Sequence, residues 1–222
     1  MPTASQALRR VSEYHGQQTI RVACTQLSGY TAREAKRVLD EWVEFLGSPS
    51  QLTDLEFATR TPKRLFAALA GQPQLVRLAV KWGDYSDLSP LSSMAGLHHL
   101  SLRGASAVSD VAALSSLTEL ESLTIEGFRT IADTTPLSGL LQLRDLELGG
   151  AWTGPRNGHL GSIRVLRHLV NLQDVLLHTV VVDDLDYSPL LDLPRLRSVR
   201  VMKVRGMQPD HEELRKALPW SG

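Results

Sequence analysis

A leucine-rich hexapeptide of the form L-x-x-L-x-L, or a close variant of it, constrains the fold of this chain more than any other feature. Seven copies begin at Leu52, Leu75, Leu97, Leu120, Leu143, Leu172 and Leu196. The intervals between them are 23, 22, 23, 23, 29 and 24 residues. A period of this size indicates a solenoid, because one unit cannot bury its apolar face alone whereas a stack of units can. We therefore expect stacked coils, with one short strand per hexapeptide.

The segments that follow the hexapeptides also repeat. They include DLSPLSSM (87–94), VSDVAALSSL (108–117) and IADTTPLSGL (131–140). With the hexapeptides, these segments resemble leucine-rich repeat proteins of the internalin-like subclass, whose repeats end in I-x-D-x-x-P-L-x-x-L. The resemblance covers roughly residues 50–206. It implies an α/β solenoid, wound as a right-handed superhelix with a parallel β-sheet on its concave face.

One position departs from the family pattern. Leucine-rich repeats usually carry an asparagine three positions after the hexapeptide, and its side chain bonds the backbone inside the coil. Here these positions hold Arg60, Gly83, Ala105, Phe128, Ala151, Val180 and Val204. The backbone groups of the coil therefore need other partners, such as water.

The two ends of the chain read as caps, which divides it into residues 1–51, 52–206 and 207–222. The N-terminal cap is predicted to contain a strand over about 19–25 and a helix over about 32–46. Thr31 and Glu34 have the spacing of a capping box at the start of that helix. Asp210 and Glu213 repeat this spacing before a short C-terminal helix. Sealed ends favour a protein that stands alone over a fragment of a larger array.

The composition of the chain bears on the cellular location of the protein and on the ligands that it can bind. The chain has 24 basic and 24 acidic residues, so no overall basic field disposes it to bind nucleic acid. The longest apolar run, 65–70, is far too short to span a membrane. A single cysteine, Cys24, cannot form an intramolecular disulfide, and its place in an alternating strand favours a buried thiol over a nucleophile. We expect a cytoplasmic protein with no membrane contact.

No catalytic motif is present: the chain lacks a phosphate-binding P-loop, G-x-G-x-x-G, G-x-S-x-G and H-E-x-x-H. His98 and His99 are adjacent on one strand and point to opposite sides, so they cannot easily coordinate the same metal ion. We therefore expect no enzyme activity, no cofactor, no metal site and no small-molecule substrate.

The inner wall of the solenoid carries the candidate contact residues. Positions three, five and seven of each unit, counted from its first leucine, are expected to face outward along the concave side. The candidates there, together with Trp82 at position eight, are Arg77, Lys81, Trp82, His99, Arg103, Glu126, Asp145, Glu147, Asp174 and Arg200. Trp82, beside Lys81 and Tyr85, is either an interface anchor or partly buried under a loop.

Charges on this wall fall into bands. Asp54 beside Arg77, and Arg103 beside Glu126, fit ordinary solvated pairs that contribute about 0 to 1 kcal/mol each. Asp145 beside Asp174 does not, because like charges on neighbouring strands repel. Two explanations stay open: a contact surface for a basic patch of a partner, or relief by a neighbour such as Arg144.

The 29-residue interval contains the insertion GGAWTGPRNGHLG (149–161), which carries Trp152 and Arg156. Insertions in solenoids map to loops and often serve binding. A neutral insertion is the alternative, because lengthening a surface loop costs little.

Three functions follow from these features. The first is a non-catalytic protein–protein interaction module that binds a partner protein through the concave face and the 149–161 loop, as an adaptor, an inhibitor or an immunity-type protein. The alternative is a regulatory or sensing part of a larger signalling assembly. The least favoured is nucleic-acid binding through the basic end, residues 195–216.

Overall fold

The computed structural model describes residues 6–152, 154 and 156–220. The strands in this part of the chain are β1 (Thr19–Val22), β2 (Asp54–Thr61), β3 (Arg77–Gly83), β4 (His99–Leu102), β5 (Ser122–Glu126), β6 (Thr130–Ile131), β7 (Asp145–Gly149), β8 (Gly158–Leu160), β9 (Asp174–His178), β10 (Val180–Val182) and β11 (Ser198–Val201). The α-helices are α1 (Ala32–Leu46), α2 (Lys63–Ala67) and α3 (His211–Ala217). Short 3-10 helices cover Val11–Glu13, Ala68–Gly71, Ser89–Ser93, Ala112–Ser116, Thr135–Gly139, Arg164–His168 and Ser188–Asp192.

Eight of the strands form one parallel sheet in the order β1-β2-β3-β4-β5-β7-β9-β11. The last seven of them are the seven predicted repeat strands, and each begins two residues after the leading leucine of its hexapeptide. The hexapeptide leucines point into the coil; in β5, for example, Leu123 and Ile125 have no exposed surface. The predicted solenoid with a parallel sheet is confirmed.

The side of the coil opposite the sheet is built from the 3-10 helices. A short polar side chain precedes several of them and accepts a hydrogen bond from the backbone N–H two residues later, as in Asp87 with Ser89 (2.8 Å) and Asp133 with Thr135 (2.9 Å). These bonds, together with those from the side-chain hydroxyls of Ser89 and Thr135, hold the pKa of both carboxyls below its ordinary value. An aspartate therefore starts the turn that closes the coil in several repeats, and Ser162 does so in another.

Helix α1 begins and ends where the sequence predicts. The Thr31 hydroxyl accepts from Glu34 N–H (3.3 Å), and the Glu34 carboxylate accepts from Thr31 N–H (2.8 Å), which completes the capping box. The helix buries Val38, Trp42 and Leu46 against the first coil. The strand predicted over about 19–25 is shorter, because β1 ends at Val22.

Helix α3 has the second predicted capping box, between Asp210 and Glu213. Each edge of the large sheet is also covered: Leu8 bridges Val22 at one edge, and Trp220 bridges Val199 at the other. The division of the chain into residues 1–51, 52–206 and 207–222 stays a prediction.

A second parallel sheet, of order β10-β8-β6, was not expected from the sequence. It corrects the prediction that 149–161 is a continuous loop, because Gly149 belongs to β7 and residues 158–160 form β8. The inserted segment thus leaves the large sheet and returns as a strand of the small one.

Backbone hydrogen bonds between coils lie where the missing asparagine ladder would run. Ala105 N–H donates to Glu126 O (2.8 Å), Gly127 N–H to Gly149 O (2.8 Å) and Gly158 N–H to Thr179 O (2.8 Å). Ladder positions such as Ala105, Phe128 and Val180 are buried, with at most 2% of their surface exposed. Apolar packing therefore fills the space that polar side chains would need.

Candidate functional site

The large sheet places the outward residues in columns. At position three, Asp54, Arg77, His99, Ser122, Asp145, Asp174 and Ser198 are successive partners in register. These side chains form the concave wall, and the register that joins them follows from the equal length of the hexapeptides.

The N-terminal half of this wall is a groove with a volume of about 640 Å³. Its floor has small side chains at position five, namely Ala79, Ser101 and Thr124. Its charges are already paired: Arg77 Nη1 lies 2.8 Å from Asp54 Oδ1, and Arg21 Nε lies 2.8 Å from Glu56 Oε1. The predicted pairing of Asp54 with Arg77 is confirmed.

Arg103 joins two carboxylates of the middle repeats. Its guanidinium lies 2.6 Å from Glu126 Oε2 and 3.5 Å from Glu147 Oε2. Thr124 Oγ1 also donates to Glu147, at 3.3 Å. Arg103 and Glu126 therefore form the solvated pair that the sequence suggests, and Glu147 is drawn into it.

His178 extends this network into the inserted segment. Its Nε2 lies 3.2 Å from Glu147 Oε1, and the indole of Trp152 stacks on its ring with centroids 3.9 Å apart. His178 lies at an outward position, as predicted, but only 6% of its surface is exposed because Trp152 covers the ring. A Cβ at Gly149 would lie 2.3 Å from the imidazole, so the glycine in the neighbouring strand makes room for the ring. Burial lowers the pKa of His178, while Glu147 opposes that effect.

The pairing of Gly149 with His178 is the signal that could have shown this site in the sequence. A glycine at an outward position of one repeat, beside a ring in the next, lets that ring lie flat on the wall. Trp152 then packs on top of the ring and keeps 54% of its surface exposed.

Asp145 and Asp174 face each other on β7 and β9, as the repeat register predicts. Both are exposed, and neither forms an ion pair with a described residue. Arg144, the neighbour proposed to relieve them, instead lies 3.5 Å from Glu121. Burial and then the charge of Asp174 raise the pKa of Asp145, although Arg144 and His99 oppose the effect from a distance. The two carboxylates thus form an acidic pair that folding alone does not favour; "the acidic pair" below means these two residues.

Replacing Asp145 by Asn is expected to stabilise the fold by about 0.5 kcal/mol at neutral pH. A carboxyl whose pKa is raised on folding costs stability while it is ionised, and that cost disappears as the pH falls below the ordinary pKa of aspartate. The gain should therefore vanish near about pH 3. Urea unfolding at both pH values measures it.

The same repulsion predicts the effect on stability of replacing Asp174, the other member of the acidic pair. Asp174→Asn should give a similar gain, and the double variant should gain little more, because either change removes the same repulsion. Glu119→Gln, an exposed carboxylate outside the wall, is the control and should leave stability unchanged. Additive gains would show that the two carboxylates do not interact.

The remaining candidates lie at the borders of the wall. Trp82 is 37% exposed and pairs in register with Arg60. Tyr85, expected beside it, is buried and stacks on Phe66 with centroids 4.3 Å apart, so no exposed aromatic pair exists at this point. Lys81 is exposed.

At the C-terminal end of the wall and in the insertion, Arg200 and Arg156 are both exposed. Arg200 pairs in register with Leu176 of β9. The structure therefore gives each of these residues access to a partner, while their roles stay predictions.

The part of the chain that the structure describes gives no support for a metal site, a reactive thiol or a membrane-spanning helix. No three His, Cys, Asp or Glu side chains there are grouped to hold a metal ion. Cys24 is buried, and burial raises the pKa of its thiol to about 12, which suppresses the reactive thiolate. Among the same residues, no helix has the length and apolar character needed to cross a membrane.

Comparison with known proteins identifies the fold of this chain. No family model matches the sequence, and no curated protein does. Among solved structures, internalin C2 from Listeria monocytogenes matches 81% of this chain over 72% of its own length, with 19% identity and a TM-score of 0.56.

Two further solved structures have TM-scores below 0.5. Internalin F from the same organism has a TM-score of 0.41 and 20% identity, and 54% of its length is covered. The Arabidopsis receptor kinase HAESA has a TM-score of 0.48 and 16% identity, and 30% of its length is covered. The periodic hexapeptides, the parallel sheet and the likeness to internalin C2 agree: this chain has the leucine-rich repeat fold in its internalin-like form.

Proposed function

We propose that this chain is a non-catalytic module that binds a partner protein through its concave face and the segment 149–161. The acidic pair carries the proposal. Two exposed carboxylates in register cost folding energy, and they offer paired acceptors to a cationic side chain of a partner. An arginine placed between Asp145 and Asp174 would relieve their repulsion and satisfy its own planar donors.

The surroundings of the pair support the same role. The depression that holds it is also lined by Thr124, Glu147 and Leu176, with Arg200 at its C-terminal side. An inserted cationic side chain would meet a third carboxylate and an apolar surface on the side away from Arg200. Exposed Trp152 provides an aromatic anchor at the end of the same network. A partner with a basic segment fits this arrangement.

The proposal also covers the cellular compartment, the cytoplasm, and the role of the protein there as an inhibitor. A single cysteine, whose buried thiol has a raised pKa, suits the reducing cytoplasm. An inhibitor of the immunity type would act by covering a basic surface of its target, and the acidic pair is suited to that contact.

The variant Asp145→Lys/Asp174→Lys tests the concave face. Tagged wild type and variant are used to capture partners from lysate of the source cells, and the bound proteins are quantified by mass spectrometry. We expect a partner with a basic surface to be reduced about a hundredfold or more, because two attractive contacts become repulsive.

Glu44→Lys/Glu119→Lys is the matched control. It makes the same change in net charge at two exposed glutamates outside the concave wall, and it should retain the wild-type partners. The same partners at the same abundance on wild type and the concave-face variant would remove the acidic pair from the binding site.

A further inference from the structure

A third concavity, called the hollow below, lies at the C-terminal end of the concave face, beyond the acidic pair. It has a volume of about 360 Å³. Trp152 and Trp220 both line it, with Met202 and the buried side chains of Leu177 and Val201. Only the fold brings these two rings together, because Trp152 and Trp220 are 68 positions apart in the chain.

The two tryptophans are held in place by different contacts. Trp152 stacks on His178, with ring planes 12° apart. Trp220 bridges Val199 at the edge of the sheet, and its ring meets His211 edge-on with centroids 5.0 Å apart. Rings that are fixed before binding lose little conformational entropy on contact, which favours their use as anchors.

Two of the side chains that line this hollow are cations without ionic partners. Arg200 and Lys203 line it and are exposed, and neither forms an ion pair with any described residue. Glu212, on the helix beside the hollow, is 3.9 Å from His211 and 4.0 Å from Arg215 instead.

The arginines elsewhere on the concave wall behave differently. Arg21, Arg77 and Arg103 each have a carboxylate within 3 Å. Arg200 and Lys203 therefore face solvent without an internal counter-charge, as Lys81 does on the wall, and they lie next to two aromatic anchors.

We propose that this hollow binds an acidic segment of a partner protein. Aspartate or glutamate side chains of the segment contact Arg200 and Lys203 through charge-assisted hydrogen bonds. An adjacent aliphatic side chain packs between Trp152 and Trp220. The inference goes beyond the concave-face proposal, since it requires neither carboxylate of the acidic pair.

An acidic peptide fits this site better than a nucleic acid does. The chain has no net charge, and the cations of the hollow lie on one coil. Asp174 is in register with Ser198 on the same strand as Arg200, so a phosphate backbone that continued along the wall would meet the acidic pair. A short acidic segment can contact the two cations without that repulsion.

The test is a titration followed by the indole N–H signals of the full chain in two-dimensional NMR at pH 7. The probe is the capped peptide acetyl-Leu-Glu-Glu-Leu-amide. We expect it to shift the signals of Trp152 and Trp220 and to leave those of buried Trp42 and distant Trp82 in place. Trp152→Phe and Trp220→Phe variants assign the signals.

Two comparisons decide the outcome. Arg200→Glu/Lys203→Glu should weaken binding about tenfold or more, while Arg205→Glu/Lys216→Glu, with the same charge change at exposed residues that do not line the hollow, should not. The charge-reversed peptide acetyl-Leu-Lys-Lys-Leu-amide should not bind at this hollow. Equal shifts with both peptides, or no shift at millimolar peptide, would overturn the proposal.

A short single-stranded oligonucleotide is the third probe. Tighter binding of this probe to the same two tryptophans, with a steep loss of affinity as salt rises, would assign the hollow to nucleic acid and overturn the proposal. Because the acidic pair is intact in every variant of this test, failure here leaves the concave-face proposal standing.

Discussion

Replacing Gly161 by alanine is expected to lower the free energy of unfolding by about 3 kcal/mol. A Cβ at this position would lie 2.0 Å from the carbonyl oxygen of Ala132. That oxygen belongs to the backbone and cannot rotate away. Gly161 N–H also donates to Ile131 O at 3.0 Å, so relief of the clash would separate β8 from β6. Urea unfolding followed by circular dichroism measures the loss.

Gly96→Ala is the matched control for this prediction. A Cβ there would meet no atom within 4 Å. The variant should be as stable as the wild type, or more stable by up to about 1 kcal/mol, because alanine restricts the unfolded chain. If both variants unfold at the same urea concentration, β6 and β8 do not pack as the structure shows.

The large sheet was predictable because its signal repeats. The hexapeptides turn the same three positions inward, fully buried in all but Leu196, so seven copies specify seven strands and their register without a separate judgement of each strand. The acidic pair of Asp145 and Asp174 followed from that register. So did the pairs Asp54 with Arg77 and Arg103 with Glu126, which the structure confirms.

The small sheet could not be predicted in the same way. Its strands have two or three residues each, too few to show the alternation that identifies a strand. Their pairing depends on where neighbouring coils place them: Gly158 meets Val180, and Thr130 meets His159. Coil geometry, rather than local sequence, selects β6, β8 and β10.

The burial and contacts of individual aromatic residues could not be predicted from the sequence either. Tyr85 follows an exposed tryptophan in the chain, yet it turns inward and stacks on Phe66. His178 occupies an outward position, yet the absent side chain at Gly149 lets it lie on the wall under Trp152. Both outcomes depend on a contact with a residue in another coil, which a repeat pattern does not encode.

Phe128→Asn is expected to destabilise the protein by about 4 kcal/mol, although asparagine is the residue that leucine-rich repeats usually carry at this position. Phe128 is 2% exposed, so the change removes a buried ring and leaves a cavity. It also buries an amide, which costs free energy unless hydrogen-bond partners are available. Urea unfolding again provides the measurement.

The partners that an asparagine ladder would use are already engaged in this protein. Gly127 N–H donates to Gly149 O, and Ala105 N–H donates to Glu126 O, so neighbouring coils satisfy one another directly. Phe128→Leu, which keeps the site apolar, should cost only about 1 kcal/mol. A loss for Phe128→Asn no larger than that for the leucine variant would mean that the coil can still accept a polar ladder. The large difference expected between the two variants would show that backbone bonds and apolar packing have together replaced the ladder.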